Sequence, residues 1–189
     1  FASNYPVPAV LKALVEKGAL GQKSGAGFYR KEGKEIKVLD AAKGEYVAGG
    51  AKADELVARI LKKPANERFK LLRETDHPQA QFLLAAFRDV FHYIAVHLES
   101  ISYNARDVDF AIRWGFGWNE GPFETWQSAG WKEIAGWVSE DIAAGKGLST
   151  AALPAWVSEI EGVHTAAGSY ATEKKAFVPR STLPVYQRQ

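Results

Sequence analysis

Apolar residues recur along this chain with two different periods, and the change of period divides it. Val10, Leu11, Leu14 and Val15 fall at three- and four-residue steps between Pro8 and Lys17, which predicts a short amphipathic helix. Proline near its first turn and Gly18 just past its end mark the boundaries. Phe28 to Lys31, Glu35 to Leu39 and Glu45 to Val47 then read as short strands, separated by Glu32-Gly33 and by Ala42-Lys43-Gly44. A small antiparallel β-element is predicted there.

From about Asp54 the period lengthens from two to roughly 3.6, and helices dominate. Leu56, Val57, Ile60 and Leu61 form one apolar face, and Pro64 opens a second helix carrying Phe69, Leu71 and Leu72. A third begins near Pro78, with Asp76 or His77 as its cap. It carries Leu83, Leu84, Phe87, Val90, Phe91, Ile94, Leu98 and Ile101. At ~1.5 Å rise per residue, its roughly 24 residues span about 36 Å, so it is expected to be the spine of the fold. Asp107-Val108-Asp109 leads into a helix with Phe110, Ile112 and Trp114, where acidic residues suit the N-terminal dipole. Gly121-Pro122-Phe123-Glu124 opens the next helix, Trp131 to Ala144 forms another, and Pro154 to Ile160 a short last one. Beyond Gly162 the pattern fades, and residues 163 to 189 read as an irregular arm or a linker.

Composition narrows the functional classes. The 189 residues, 47% of them hydrophobic, suffice for one or two small packed domains. No apolar run approaches the ~18 residues that span a bilayer, and no secretory signal opens the chain. Zero cysteines exclude a disulfide frame and a cysteine-held metal, which suits a cytoplasmic protein. The net charge of +2 comes from 24 basic and 22 acidic residues interspersed along the chain. Lys62-Lys63 and Lys174-Lys175 are only pairs, so nucleic acid is not an expected partner. The chain begins at Phe1 and contains no methionine, and is therefore expected to be a piece of a longer product.

Two signatures carry candidate chemistry. The first is Gly21-Gln22-Lys23-Ser24-Gly25-Ala26-Gly27-Phe28-Tyr29, with three glycines in the seven positions from Gly21 and a cation beside them. It follows a helix and leads into a strand, the reverse of the context a dinucleotide fingerprint requires. The second is Asp107-Val108-Asp109, followed by Gly115-Phe116-Gly117-Trp118 and Gly121-Pro122-Phe123. The four histidines give no pair at i, i+4, which argues for structural or surface roles rather than a metal site.

Taken together, these signatures, in this order and with the long apolar helix between them, resemble the C-terminal helical domain of bacterial 3-hydroxyacyl-CoA dehydrogenases of the fatty-acid β-oxidation type. The resemblance covers roughly residues 8 to 135. It implies a mainly α fold, a helical bundle of the 6-phosphogluconate dehydrogenase C-terminal-like type with a small N-terminal antiparallel β-element. It also implies tandem helical copies: residues 1–50 the tail of a first copy with its hairpin, 51–145 a second copy, and 146–189 an extension or linker. In such enzymes hydride passes between C3 of a 3-hydroxyacyl thioester and NAD. The His/Glu dyad that serves this oxidation lies in a preceding nucleotide-binding domain. The resemblance therefore places no catalytic residue in this chain, which is expected to be inactive alone. The implied partners are an acyl-CoA substrate, that nucleotide-binding domain and a second copy in a homodimer. NAD is expected to be held mainly by the absent domain.

Lys23 matches the family lysine that reaches toward the dinucleotide, and its other reading is a solvated loop lysine. Trp114 matches an aromatic placed against the acyl substrate, and its other reading is core packing. Asp109 is expected to hold backbone N–H groups rather than do chemistry. Trp118-Asn119-Glu120 intervenes before Gly121-Pro122, where the family pattern has proline sooner after the aromatic. Two other functions fit the same scaffold: a non-catalytic helical interaction module, and a dehydrogenase of other hydroxy acids.

Overall fold

A computed structural model describes residues 1, 3, 5–50 and 52–184. It contains two compact units, Phe1–Ala53 and Asp54–Gln189. The fold is mainly α with small antiparallel sheets.

In the first unit, α1 (Ala9–Glu16) starts behind Pro8 and buries Leu14, while Leu11 and Val15 stay exposed. A single 3-10 turn, Gln22–Ser24, links it to a three-stranded meander of β1 (Tyr29–Glu32), β2 (Glu35–Asp40) and β3 (Glu45–Ala48). The register sets Tyr29 opposite Val38 and Leu39 opposite Tyr46. These strands match the alternation of the sequence to within a residue or two.

The second unit is built on helices. Asp54 caps α2 (Glu55–Leu61) by accepting the Leu56 N–H at 2.8 Å. Then come α3 (Ala65–Glu74) and the 24-residue α4 (Pro78–Ile101), capped by His77 through its Nδ1. The buried face of α4 runs Ala80, Leu84, Arg88, Phe91, Ala95 and Leu98, the three- and four-residue steps of a helix stripe. Val90 and Ile101, apolar in sequence, lie off this stripe and are exposed.

Next come α5 (Ala105–Phe116) and α6 (Pro122–Ala143), the latter broken at Gly130 where φ is 109°. That break separates the two helices expected from Gly121-Pro122 and from Trp131. Helices α3, α4 and α6 enclose the core, where Phe91 stacks on Trp126 at 5.4 Å and Trp126 on Trp131 at 4.2 Å. Two of the buried indoles have partners: Trp126 Nε1 donates to the Trp131 carbonyl at 3.0 Å, and Trp131 Nε1 to the Val157 carbonyl at 2.9 Å. Arg88, 7% exposed, crosses from α4 to Asp141 at 3.3 Å while also pairing with Asp89 at 3.0 Å.

One expectation needs correction. Residues 164–178 do not form an irregular arm. Behind α7 (Ala155–Glu159), the strands β4 (His164–Thr165), β5 (Gly168–Ala171) and β6 (Ala176–Val178) make a second antiparallel sheet. Every residue of β5 is buried, and Tyr170 stacks on Trp156 at 5.2 Å. Gly-Ser-Tyr-Ala is buried throughout and carries a single large side chain, so the strand shows neither alternation nor an apolar run.

Candidate functional site

In the first unit the glycine turn is a fixed structure. Ser24 Oγ accepts the Leu20 N–H at 2.8 Å and donates back to the Gly21 carbonyl at 3.0 Å. The Gly21 N–H donates to the Ala26 carbonyl at 2.7 Å, closing the loop. Gly27 passes so close to Gly21 that a Cβ on it would lie 2.9 Å from the Gly21 Cα, tighter than real contacts allow. Tyr46 of β3 donates its hydroxyl to the Gly27 carbonyl, fastening the turn to the sheet. From this frame Lys23 projects into solvent, with no hydrogen bond or ion pair among the described residues. Its cation is held on a defined backbone and open to a ligand.

In the second unit the functional geometry centres on the junction of α5 and α6. Asn104 caps α5, accepting the Arg106 N–H at 3.0 Å, so the helix starts two residues before the expected Asp107. Asp109 is consequently inside α5, and it caps the next helix instead. Its Oδ1 accepts the Phe123 N–H at 2.7 Å and the Glu124 N–H at 3.4 Å, both in the first turn of α6. Gly121 packs against this residue without any gap, since a Cβ there would overlap Asp109 Cα and Cβ. The role expected of Asp109, holding backbone N–H groups, is therefore what the structure displays, on a different helix.

Its second oxygen does something the sequence did not reveal. Asp109 Oδ2 lies 2.7 Å from His164 Nε2, and His164 Nδ1 lies 2.9 Å from Ser169 Oγ. With Nε2–H donating to the carboxylate, Nδ1 is left to accept the serine hydroxyl. Gln127 of α6 fixes the backbone of His164 on both sides, accepting its N–H at 2.9 Å and donating to its carbonyl at 3.0 Å. Burial pushes the Asp109 carboxyl above its ordinary range, while His164 and the Phe123 N–H pull it partly back. Asp109 is 0% and Ser169 2% exposed. Such a relay presents no open nucleophile, and it ties the second sheet to both helices.

His164 was expected in a loop and instead anchors β4. One sequence signal marks it. Gly168-Ser169-Tyr170 repeats the spacing of Gly27-Phe28-Tyr29, and His164 then stands where Lys23 stands in the earlier stretch. The same four-residue step to glycine leaves a solvent-facing lysine in one unit and a carboxylate-bound imidazole in the other.

Trp114 is 53% exposed and stacks on Phe110 at 4.9 Å, so it is not a core side chain. Phe116 and Trp118, at the end of α5 and just beyond, are also exposed. Elsewhere, His92 is fully buried with Nε2 2.7 Å from the Ala151 carbonyl, and burial lowers its pKa. Among the described residues no group of three or more His, Asp or Glu could hold a metal, and no helix is long and apolar enough to cross a membrane.

Comparison with known proteins gives two relatives of note. The chain is 32% identical over 157 residues to a Bacillus subtilis protein named as a 3-hydroxyacyl-CoA dehydrogenase, matching 82% of this chain and 19% of the relative. It is 26% identical over 136 residues to a Rickettsia felis protein named as a fatty acid oxidation complex trifunctional enzyme, matching 69% of this chain and 18% of the relative. The chain thus spans about a fifth of the length of these relatives. Neither a protein-family model nor a solved structure matches it.

Proposed function

Starting from this homology to proteins named as 3-hydroxyacyl-CoA dehydrogenase and fatty acid oxidation complex enzymes, we propose that the chain is a C-terminal helical region of an NAD-dependent 3-hydroxyacyl-CoA dehydrogenase. Its task there is to form one wall of the acyl-CoA and NAD cleft and to pack against other parts of the enzyme. The observation that carries this reading is Lys23, an unpaired cation on a rigid turn that leads into a sheet.

In the first unit the residues fit the dinucleotide at that point. Both sheets are antiparallel, so the described residues contain no parallel βαβ unit of the kind that cradles a pyrophosphate. Lys23 supplies one flexible positive charge for phosphate or ribose oxygens, and the rest of the NAD site belongs to another domain. NAD, when bound, would supply the hydride acceptor for the substrate's C3. This chain's residues orient and enclose rather than transfer protons, because the buried Asp109–His164 pair is committed to structure and His77, 3.7 Å from Asp54, is engaged in capping α4. Trp114, exposed and backed by Phe110, offers a flat apolar face to an acyl chain. Leu11, Val15 and Leu20, exposed at 37%, 55% and 71%, give the first unit an apolar surface suited to packing or dimerisation.

The test is made in the full-length enzyme. Lys23→Ala is expected to raise KM for NAD about tenfold, the loss of one charge-assisted contact, with little change in kcat. An unchanged KM for NAD reduces Lys23 to a solvated loop residue. Trp114→Ala is expected to cost more with long acyl substrates than with short ones, and equal losses would point to packing damage. The isolated chain, given NADH and acetoacetyl-CoA, should show no turnover; measurable turnover would place catalytic groups here after all.

A further inference from the structure

Arg106 is a charge without a partner. It is the second residue of α5 and half-buried, and its guanidinium makes no hydrogen bond or ion pair among the described residues. Three carboxylates contribute to its surroundings, and each is engaged elsewhere. Glu124 takes the Gly121 N–H at 2.7 Å and Arg113 at 3.2 Å. Asp107 accepts from the Asn104 amide at 3.0 Å. Asp109 is held by His164 and the N–H groups of α6. Burial, and then the like charge of Arg180, hold the Arg106 pKa below its ordinary value despite those carboxylates.

Arg106 and Arg180 line the same cavity of about 340 Å³, between the start of α5 and the chain just beyond β6. Ser169, whose hydroxyl is fixed by His164, lines it too, with Phe110 and the Asp107 carboxylate. At the rim Tyr103 is 83% exposed. The size is that of a small-molecule site rather than of a single bound water.

A pair of guanidinium groups lining one concave space, Arg106 half-buried and Arg180 exposed, favours a planar or tetrahedral oxyanion, which they can hold with several N–H donors at once. The first turn of α5 borders the same space, but Asn104 accepts its Arg106 and Asp107 N–H groups and Asp107 adds a carboxylate, so the positive charge comes from the two guanidinium groups. We infer that this cavity binds a phosphate-bearing ligand, with Arg106 and Arg180 as the anion clamp and the exposed Tyr103 ring available to stack on an attached base. The site lies wholly within the second unit, whereas Lys23 belongs to the first, and the inference does not depend on the dehydrogenase reading.

Isothermal titration of the full chain with inorganic pyrophosphate, coenzyme A, dephospho-coenzyme A and adenosine tests it. Pyrophosphate and coenzyme A should bind, more weakly as NaCl is raised, and adenosine should not. Arg106→Gln and, separately, Arg180→Gln should each weaken binding about tenfold or more. Because Arg180 lies beyond the last strand, its variant keeps the test valid if Arg106→Gln fails to fold. Coenzyme A binding tighter than pyrophosphate, with dephospho-coenzyme A weaker, supports the site and identifies a nucleotide source. Equal affinities support it with a free phosphate anion as the source. Absence of binding by every phosphate-bearing probe at millimolar concentration, or unchanged affinity in both variants, overturns it.

Discussion

Removing the Asp109 carboxylate should loosen the second unit more than any other single polar change at the α5–α6 junction. Asp109→Ala leaves the fully buried Phe123 N–H, now accepted at 2.7 Å, without a partner. A buried unsatisfied donor costs about 1–3 kcal/mol. The same change releases His164, and with it the bond to Ser169 that holds β4 to β5. That loss adds about 1 kcal/mol. The sum, about 2–4 kcal/mol, is a large fraction of the ~5–15 kcal/mol by which domains are stable.

Asp109→Asn retains an acceptor for the helix N–H groups, and a neutral His164 can turn its other tautomer toward the amide. It should cost about 1 kcal/mol or less. Urea unfolding of the three proteins, followed by circular dichroism, measures the order. An Asp109→Ala cost below about 1 kcal/mol, or Asp109→Asn as damaging as Asp109→Ala, would refute the reasoning.

The pH dependence supplies an independent check. Burial raises the folded pKa of Asp109 above its ordinary value of about 3.8, so the folded state holds this proton more tightly than the unfolded chain. The stability contributed by that proton is fully present below the unfolded pKa and is lost as pH rises through the folded pKa. Wild type should therefore lose ground relative to Asp109→Asn as pH climbs from about 3.8 through that window. If wild type gains on the variant instead, the pairing with His164 and the α6 N–H groups outweighs burial.

Three further outcomes are expected. Gly121→Ala forces a Cβ into Asp109 Cα and Cβ, both backbone-anchored, and should destabilise by about 2 kcal/mol or more in thermal unfolding; a Tm within a degree of wild type would contradict the close approach. Arg88→Ala leaves Asp89 and Asp141 beside each other without their shared cation and should cost about 3–5 kcal/mol. Arg88→Met, which fills the volume but leaves Asp89 without a cation and Asp141 with only Lys146 at 3.7 Å, should recover little of it in urea melts. Trp131→Phe keeps the stacking on Trp126 but removes the indole N–H from the buried Val157 carbonyl, and should cost about 1–3 kcal/mol by chemical denaturation.

Much of the fold was legible in the sequence. The extent of α4 followed from the spacing of its apolar residues, because a helix stripe depends on neighbours three and four positions away. The hairpins of the first sheet followed from turns at Glu32-Gly33 and Ala42-Lys43-Gly44 for the same local reason. The rigid glycine turn, and the lysine it presents, also lay within one short stretch. Trp114 was less legible, since an aromatic on a helix face is packed or exposed according to what lies opposite, and here much of its ring faces solvent.

The second sheet and the relay beneath it were illegible for a different reason. Gly168 to Ala171 carry no alternation, and His164 is 55 residues from the carboxylate it meets. Sequence by itself determined where helices and hairpins form, and placed a lysine on a glycine turn, because backbone propensity and apolar periodicity act between near neighbours. Only the tertiary structure decided that Asp109 caps the following helix, that His164 joins it to Ser169, and that Arg106 shares a cavity with Arg180. A polar side chain is buried, paired or left open by whatever the fold brings beside it, and those neighbours come from distant parts of the chain.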